Sequence, residues 1–105
     1  MLFVGPMSAI GEEFEVELKP GEIFEPCMAM SVGQVLDFVF QSGSNLRFNI
    51  HYHVGDDVEY PIKMNADQGS GEFAPLINQK YCLMWRYSTP EPVSLSGTYN
   101  VLIAE

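Results

Sequence analysis

Two histidines at alternate positions are the sharpest chemical feature of the sequence. His51 and His53 flank a single tyrosine in a segment that alternates polar and apolar residues. On a β-strand, residues two apart point the same way and lie about 7 Å apart, so both imidazoles come within reach of one metal ion. No histidine follows His53, so the remaining ligands of any such site must be of another type.

Sulfur-bearing side chains supply the other ligand type that copper or zinc accepts. Cys82 and Met84 alternate on a second segment in the same way, and all four side chains share one face if the two strands are neighbours. One hypothesis is therefore a copper or zinc site formed by His51, His53, Cys82 and Met84. In a simpler interpretation the histidines are solvated and Met28 and Met30 fill the core. In a third, the histidines form a pH-sensitive binding surface.

Residue types that support catalysis lack a suitable arrangement in this sequence. Asp56, Asp57 and Glu59 follow the histidines and offer oxygen ligands or a general base, but a turn rich in aspartate is usually only a turn. The sequence contains no glycine-rich phosphate loop, no nucleophile elbow and no Cys-x-x-Cys pair. We therefore expect a protein that is not an enzyme.

Charge and length limit the class of partner. The 105 residues include 14 acidic and 5 basic ones, which gives a formal net charge of −9. This field repels phosphate backbones, so we expect no nucleic-acid partner. No run approaches the roughly 20 apolar residues that a membrane-spanning helix needs. The length fits one domain, 1–105, in which we expect 1–12 to be a loose N-terminal segment.

Alternation with period two runs along the whole chain and predicts strands rather than helices. The predicted strands cover 13–18, 23–30, 35–40, 46–54, 58–64, 72–74, 80–87 and 93–103. We expect 35–40 and 46–54 to form a hairpin around the loop 41–45, and 65–71 to be a long polar loop. Seven to eight strands at this spacing predict an all-β fold, an antiparallel jelly-roll-like β-sandwich.

The larger apolar residues predict which face of each strand is buried. The predicted inward residues of the two clearest strands are Leu46, Phe48, Ile50, Tyr52, Tyr81, Leu83, Trp85 and Tyr87. The predicted outward residues of the same strands are Arg47, Asn49, His51, His53, Cys82, Met84 and Arg86. Both histidines are therefore expected outside the core.

Several short segments are shared with a known family. They are Lys19-Pro20-Gly21, Val35-Leu36-Asp37-Phe38, Leu46-Arg47-Phe48-Asn49-Ile50, Tyr81-Cys82-Leu83-Met84-Trp85 and the alternating strand 93–101. On these segments the chain from Phe14 to Val101 resembles the GOLD (Golgi dynamics) domain, a small sandwich of secretory cargo receptors and adaptor proteins. It is also similar to small exported bacterial proteins of this sandwich type. The resemblance implies a binding module, usually for protein partners, with no catalytic residues to transfer.

Two cysteines are an even count that permits one disulfide. The cargo-receptor branch of the GOLD family pairs an early cysteine with one in the aromatic strand, which implies a Cys27–Cys82 disulfide. Reduced, buried cysteines and metal ligation are the alternatives. We expect a periplasmic or secreted protein, with the cytoplasm as the alternative, although the opening 1–5 lacks the basic flank and length of a signal peptide.

Three functions remain open from the sequence. The first is a non-catalytic protein–protein interaction module that binds its partner with rim loops or with exposed tyrosine and tryptophan side chains. Asp57 and Gln68 are the loop residues to test. The second is copper or zinc binding by an exported protein through the His51 and His53 face. The third is self-association of an exposed edge strand into a homodimer. The sequence does not identify the partner or the residues that bind it.

Overall fold

A computed structural model describes residues 7–87 and 90–104 of the chain. The described residues form seven strands, β1 (Met7–Leu18), β2 (Ile23–Phe24), β3 (Cys27–Met30), β4 (Val35–Val54), β5 (Asp57–Phe73), β6 (Gln79–Arg86) and β7 (Val93–Ala104). All pairings are antiparallel. The sheet follows the order β1–β7–β4–β6–β2, while β3 pairs with β6 and β5 pairs with β4. The predicted all-β, antiparallel, jelly-roll-like sandwich is confirmed. Within the described ranges, no helix has the length and apolar character to cross a membrane.

One bent strand, β4, converts this sheet into two layers. Its residues 35–42 pair with β7, whereas 47–51 pair with β6. The rings of Phe38 and Phe48 are only 5.0 Å apart, although ten residues of straight strand would separate them by about 33 Å. The strand therefore bends back over the core.

The bend in β4 lies where the sequence predicts a hairpin loop, at 41–45. That prediction is wrong, because the chain continues as a strand through this stretch with the same partner, β5, on both sides. The register with β5 shifts between Gln41 and Leu46, so four residues of β4 lie opposite one residue of β5 and form a bulge. A hydrogen bond from the Ser42 hydroxyl to the Ser44 carbonyl supports the bulge.

The second long strand, β5, replaces the predicted polar loop 65–71 and the two short strands beside it. Gly69 and Gly71 pair with Phe40 and Phe38, and a Cβ at Gly69 would lie 2.7 Å from the Phe40 ring. The loop prediction is wrong because these glycines make room for aromatic rings within a sheet rather than mark a turn.

The two layers of the sandwich are named here for later use. Layer A contains β1, β7, residues 35–42 of β4 and 66–73 of β5, and layer B contains β2, β3, β6, residues 46–54 of β4 and 57–65 of β5. Trp85 lies at the centre of the core and is fully buried. It contacts Phe14 of β1 and Phe40 of β4 across the layers, with ring centroids 5.0 and 5.7 Å apart. Aromatic pairs at such distances add to the free energy gained by burial.

The outermost strands of the two layers differ in length. β1 pairs with β7 along twelve residues, from Met7 to Leu18, so the prediction of a loose segment 1–12 is wrong for 7–12, and 1–6 lie outside the described residues. In layer B, the predicted strand 23–30 is interrupted at Pro26, which has no N–H to donate. The Pro26 carbonyl instead accepts from the Leu83 N–H at 2.9 Å.

Candidate functional site

A disulfide joins Cys27 and Cys82, which lie directly opposite each other on β3 and β6. The bond therefore ties the four-residue edge strand β3 to β6, which is an interior strand of layer B. Glu25 lies close to both sulfur atoms. The bond removes the thiolate of Cys82 from the predicted set of metal ligands, because a thiolate is the form of cysteine that binds metal.

His51 lies on the outer face of layer B, opposite Cys82, as its alternation predicts. It is nevertheless buried, with 4% of its surface exposed, so the expectation of a solvated ring is wrong for this residue. The carboxylate of Glu25 covers the ring from one side, and the ring of Tyr60 lies 5.7 Å away on another. His51 is buried because segments distant in sequence pack over it: the disulfide and the β2–β3 connection cover part of this face.

Both ring nitrogens of His51 have polar partners. Nε2 lies 3.0 Å from Oε2 of Glu25, and Nδ1 lies 2.7 Å from Oδ1 of Asn49. Only the imidazolium has an N–H for each contact. Burial nevertheless lowers the pKa of His51 below its usual value, while Glu25 raises the pKa and the nearby His53 lowers it further. Desolvation is the largest of these effects.

The remaining predicted metal ligands lie on the same outer face. His53 is exposed, with its ring 5.5 Å from that of His51, and Met84 is half-buried opposite Asn49. The structure thus brings His51, His53 and Met84 to one face, with the sulfur of Cys82 held in the disulfide. The copper or zinc site stays a prediction.

A groove of about 400 Å³ lies beside this histidine cluster on layer B. Its lining includes three cationic side chains, Arg47, Lys63 and Arg86. The other lining residues are Phe48, Asn49, Tyr60, Met64, Asn65 and Met84. The three cations come from three different strands, β4, β5 and β6. We call this feature the basic groove.

Three connections meet at one end of layer B: 31–34, the tight turn 54–57, which includes the last residue of β4 and the first of β5, and 74–78. The Val32 N–H donates to Oδ1 of Asn78 at 2.8 Å, which joins the first connection to the third. The side-chain amide of Gln79 donates to the carbonyl of His53 at 3.5 Å, which places the β4–β5 turn beside the start of β6. We call this region the loop end.

Apolar side chains are exposed on all three connections of the loop end. The exposed fractions are 60% for Val32, 50% for Val54, 91% for Leu76 and 43% for Ile77. The connection that carries Leu76 is held in place by the Tyr81 hydroxyl, which donates to the Ile77 carbonyl at 2.8 Å. An exposed apolar patch of this kind is typical of a protein-interaction surface.

Layer A has a second groove, of about 530 Å³, on its outer face. It is lined by Val39, Phe40, Gln41, Gln68, Gly69, Ser70, Ser96 and Gly97. Gln68, one of the two residues singled out for a partner-binding test, lines this groove, whereas Asp57 lies in the β4–β5 turn of the loop end. The structure therefore places these two residues on different surfaces.

Sequence reasoning missed both the basic groove and the loop end. The alternation of β4 and β6 places Arg47 and Arg86 on outer faces, but only the register of the two strands brings them together. Leu76 lies between the predicted strands 72–74 and 80–87, in a segment with no alternation, so no pattern indicated that it is exposed. An apolar residue in a predicted connection was the available signal.

The fold has a counterpart among solved structures. It is similar to Aeromonas hydrophila PliG, a periplasmic lysozyme inhibitor of g-type lysozyme, with a TM-score of 0.62, 18% identity, and coverage of 87% of this chain and 85% of that chain. A de novo designed double-stranded β-helix aligns with a TM-score of 0.48 and 19% identity over 86% of this chain and 97% of that chain. No protein-family model and no curated protein matches the chain, so the GOLD resemblance stays a prediction.

Proposed function

We propose that this protein is a non-catalytic binding module that attaches to a protein partner through its loop end. The observation that carries the proposal is the exposure of Leu76, whose side chain is 91% accessible on an anchored connection. Ile77 on the same connection is also exposed, as are Val32 and Val54 on the other two. A leucine held out in solvent costs free energy in the isolated protein and is stabilising only when a partner covers it.

The loop end is also organised before any partner arrives. Gln34 closes the 31–34 turn by accepting from the Ser31 N–H at 2.8 Å, and Gly33 has the positive φ of 100° that the turn requires. Hydrogen bonds of this kind reduce the conformational entropy lost when a surface docks. The patch therefore suits a partner with a preformed apolar hollow.

A g-type lysozyme is the specific partner that we propose. The support is the fold shared with PliG, which is itself an inhibitor of that enzyme class. The Cys27–Cys82 disulfide supports the same proposal, because such bonds persist mainly in oxidising compartments such as the periplasm. We therefore propose an exported protein.

Lysis of cell walls by a g-type lysozyme, followed as loss of turbidity, tests this function. We expect the protein to inhibit lysis, and we expect Leu76→Asp to weaken inhibition about thirtyfold, as for a hot-spot residue. Val39→Asp is the matched control, since Val39 is 47% exposed on the outer face of layer A. Absence of inhibition would reject the lysozyme as partner, and a stronger effect of Val39→Asp would reject the loop end as the surface.

Metal binding is the second candidate function, and the adjacent imidazoles of His51 and His53 favour it. Calorimetric titration of zinc and copper into the protein and into His53→Ala tests it. Stoichiometric binding that the substitution abolishes would support a site on this face. Binding that His53→Ala leaves unchanged would eliminate it.

A further inference from the structure

The basic groove gathers most of the cationic side chains of an acidic chain. Arg47 and Arg86 are directly paired across β4 and β6, and Lys63 pairs with Asn49 one step along the same face. Directly opposed residues have Cβ atoms about 5 Å apart. Three of the five basic residues of a chain with 14 acidic ones therefore lie together.

These three cations have no counter-ion within the parts of the chain that the structure describes. The ion pair found there is that of His51 with Glu25, and the partner of Lys63 is the face of the Tyr60 ring, 5.2 Å from Nζ. Two like charges directly opposed on a sheet destabilise it. An arrangement that costs stability in the isolated molecule is typical of a site for an anionic ligand.

We propose that Arg47, Lys63 and Arg86 form a binding site for an organic carboxylate. The planar guanidinium groups of two arginines match the two oxygens of a carboxylate, and charge-assisted hydrogen bonds of this type are the stronger ones in proteins. The amides of Asn49 and Asn65 line the same groove and offer further donors.

The surroundings of the groove select the kind of anion. A net charge of −9 repels polyanions, so a nucleic acid or an anionic membrane surface is disfavoured against an anion of low charge. Tyr60 and Met84 add apolar surface, which suits a ligand with a carbon skeleton better than inorganic phosphate. A small organic acid or the acidic side chain of a peptide meets both conditions.

The basic groove is separate from the loop end, so this proposal does not rest on the proposed function. Arg47 and Val54 are seven residues apart on β4, which corresponds to about 23 Å of strand. A ligand in the groove leaves the loop end free. A partner could contact both only by covering the length of layer B.

Titration followed by NMR tests the carboxylate site. The probes are succinate, an N-acetylated glutamate peptide, inorganic phosphate and chloride, each at the same ionic strength. We expect saturable shifts of the Arg47, Arg86 and Tyr60 signals with the two carboxylates. Saturation with the peptide alone would assign the groove to acidic peptides, and equal saturation with succinate would assign it to carboxylates in general.

Two variants and a control make the test specific. We expect Arg86→Gln to weaken carboxylate binding about tenfold. Arg86→Lys keeps the charge but lacks the planar guanidinium group that binds both carboxylate oxygens, so we expect it to weaken binding severalfold. Lys80→Gln is the control, because Lys80 lies on the same outer face outside the groove. Shifts that do not saturate, tighter binding of phosphate, or an equal loss of affinity in Lys80→Gln would overturn the proposal.

Discussion

The two outer faces of the sandwich carry opposite charge. The outward positions of layer A carry carboxylates and, among the described residues, no lysine or arginine. These carboxylates are Glu13, Glu15, Glu17, Asp37 and Glu72. The outward positions of layer B carry the cations Arg47, Lys63, Lys80 and Arg86. A net charge of −9 thus conceals a positively charged face.

The faces also differ in how their outer positions are used. Layer A exposes short polar residues beside its carboxylates, and its face is typical of a surface that keeps a protein soluble. Layer B buries a histidine against Glu25, and no residue in the described ranges forms an ion pair with Arg47 or Arg86. Features that cost stability are concentrated on layer B, and this is where function is expected.

Removal of the disulfide should have the largest effect and should act on layer B. The bond closes a separation of 55 residues, and we expect Cys27→Ser with Cys82→Ser to lower the free energy of unfolding by about 4 kcal/mol. Urea denaturation measures the loss. Hydrogen exchange should show β3 opening before β1, because β3 pairs along four residues and β1 along twelve. Equal protection of both edge strands in the variant would contradict this.

A side chain at Gly97 should disrupt layer A, because this residue of β7 lies against the backbone of β4. A Cβ at this position would lie 2.2 Å from the Val39 carbonyl oxygen and 2.9 Å from the Phe14 ring. We expect Gly97→Ala to lower the free energy of unfolding by about 3 kcal/mol, since backbone must move. Gly43→Ala, whose Cβ would meet Val93 at 3.4 Å, is the matched control with a smaller loss.

Acid should destabilise layer B through His51. Burial lowers the pKa of His51 below its usual 6.5, so the unfolded chain binds more protons than the folded one once the pH falls below that value. The contribution of the neutral ring is fully present above pH 6.5 and is lost as the pH falls through the lowered pKa of the folded state. Unfolding midpoints across this range measure the slope. His51→Gln should flatten the slope, and an unchanged slope in this variant would contradict the assignment.

The smallest expected effect concerns the carboxylates of layer A. Glu15 lies between Glu13 and Glu17 on one face of β1, so Glu15→Lys replaces two repulsions with two attractions. We expect the free energy of unfolding to rise by about 0.5 kcal/mol. The gain should vanish in roughly 1 M salt, where surface charges are screened. A gain that persists in salt would show that packing, not charge, is responsible.

Alternation along the chain was sufficient to predict the core. Phe48, Ile50, Leu83 and Trp85 are buried as their positions on β4 and β6 predict. The same rule failed at the ends of strands and in glycine-rich stretches. Gly69 and Gly71 have no side chain to alternate, so their place opposite Phe40 and Phe38 left no signal in the sequence.

The candidate site was less accessible to prediction than the fold. The alternation rule placed His51 and Arg47 correctly on outer faces, because it depends only on the local geometry of a strand. It could not predict that Glu25 covers His51, because Glu25 comes from the β2–β3 connection. Nor could it predict that Arg86 faces Arg47, because Arg86 comes from β6.

The sequence by itself determined the fold class, the inward residues of each clear strand and the acidic net charge, because all three follow from local order and composition. Only the tertiary structure decided that β4 bends into both layers, that His51 is buried and that the cations collect on one face. The physical reason is that strand pairing joins residues far apart in the chain, and a period of two residues does not specify which strands become neighbours.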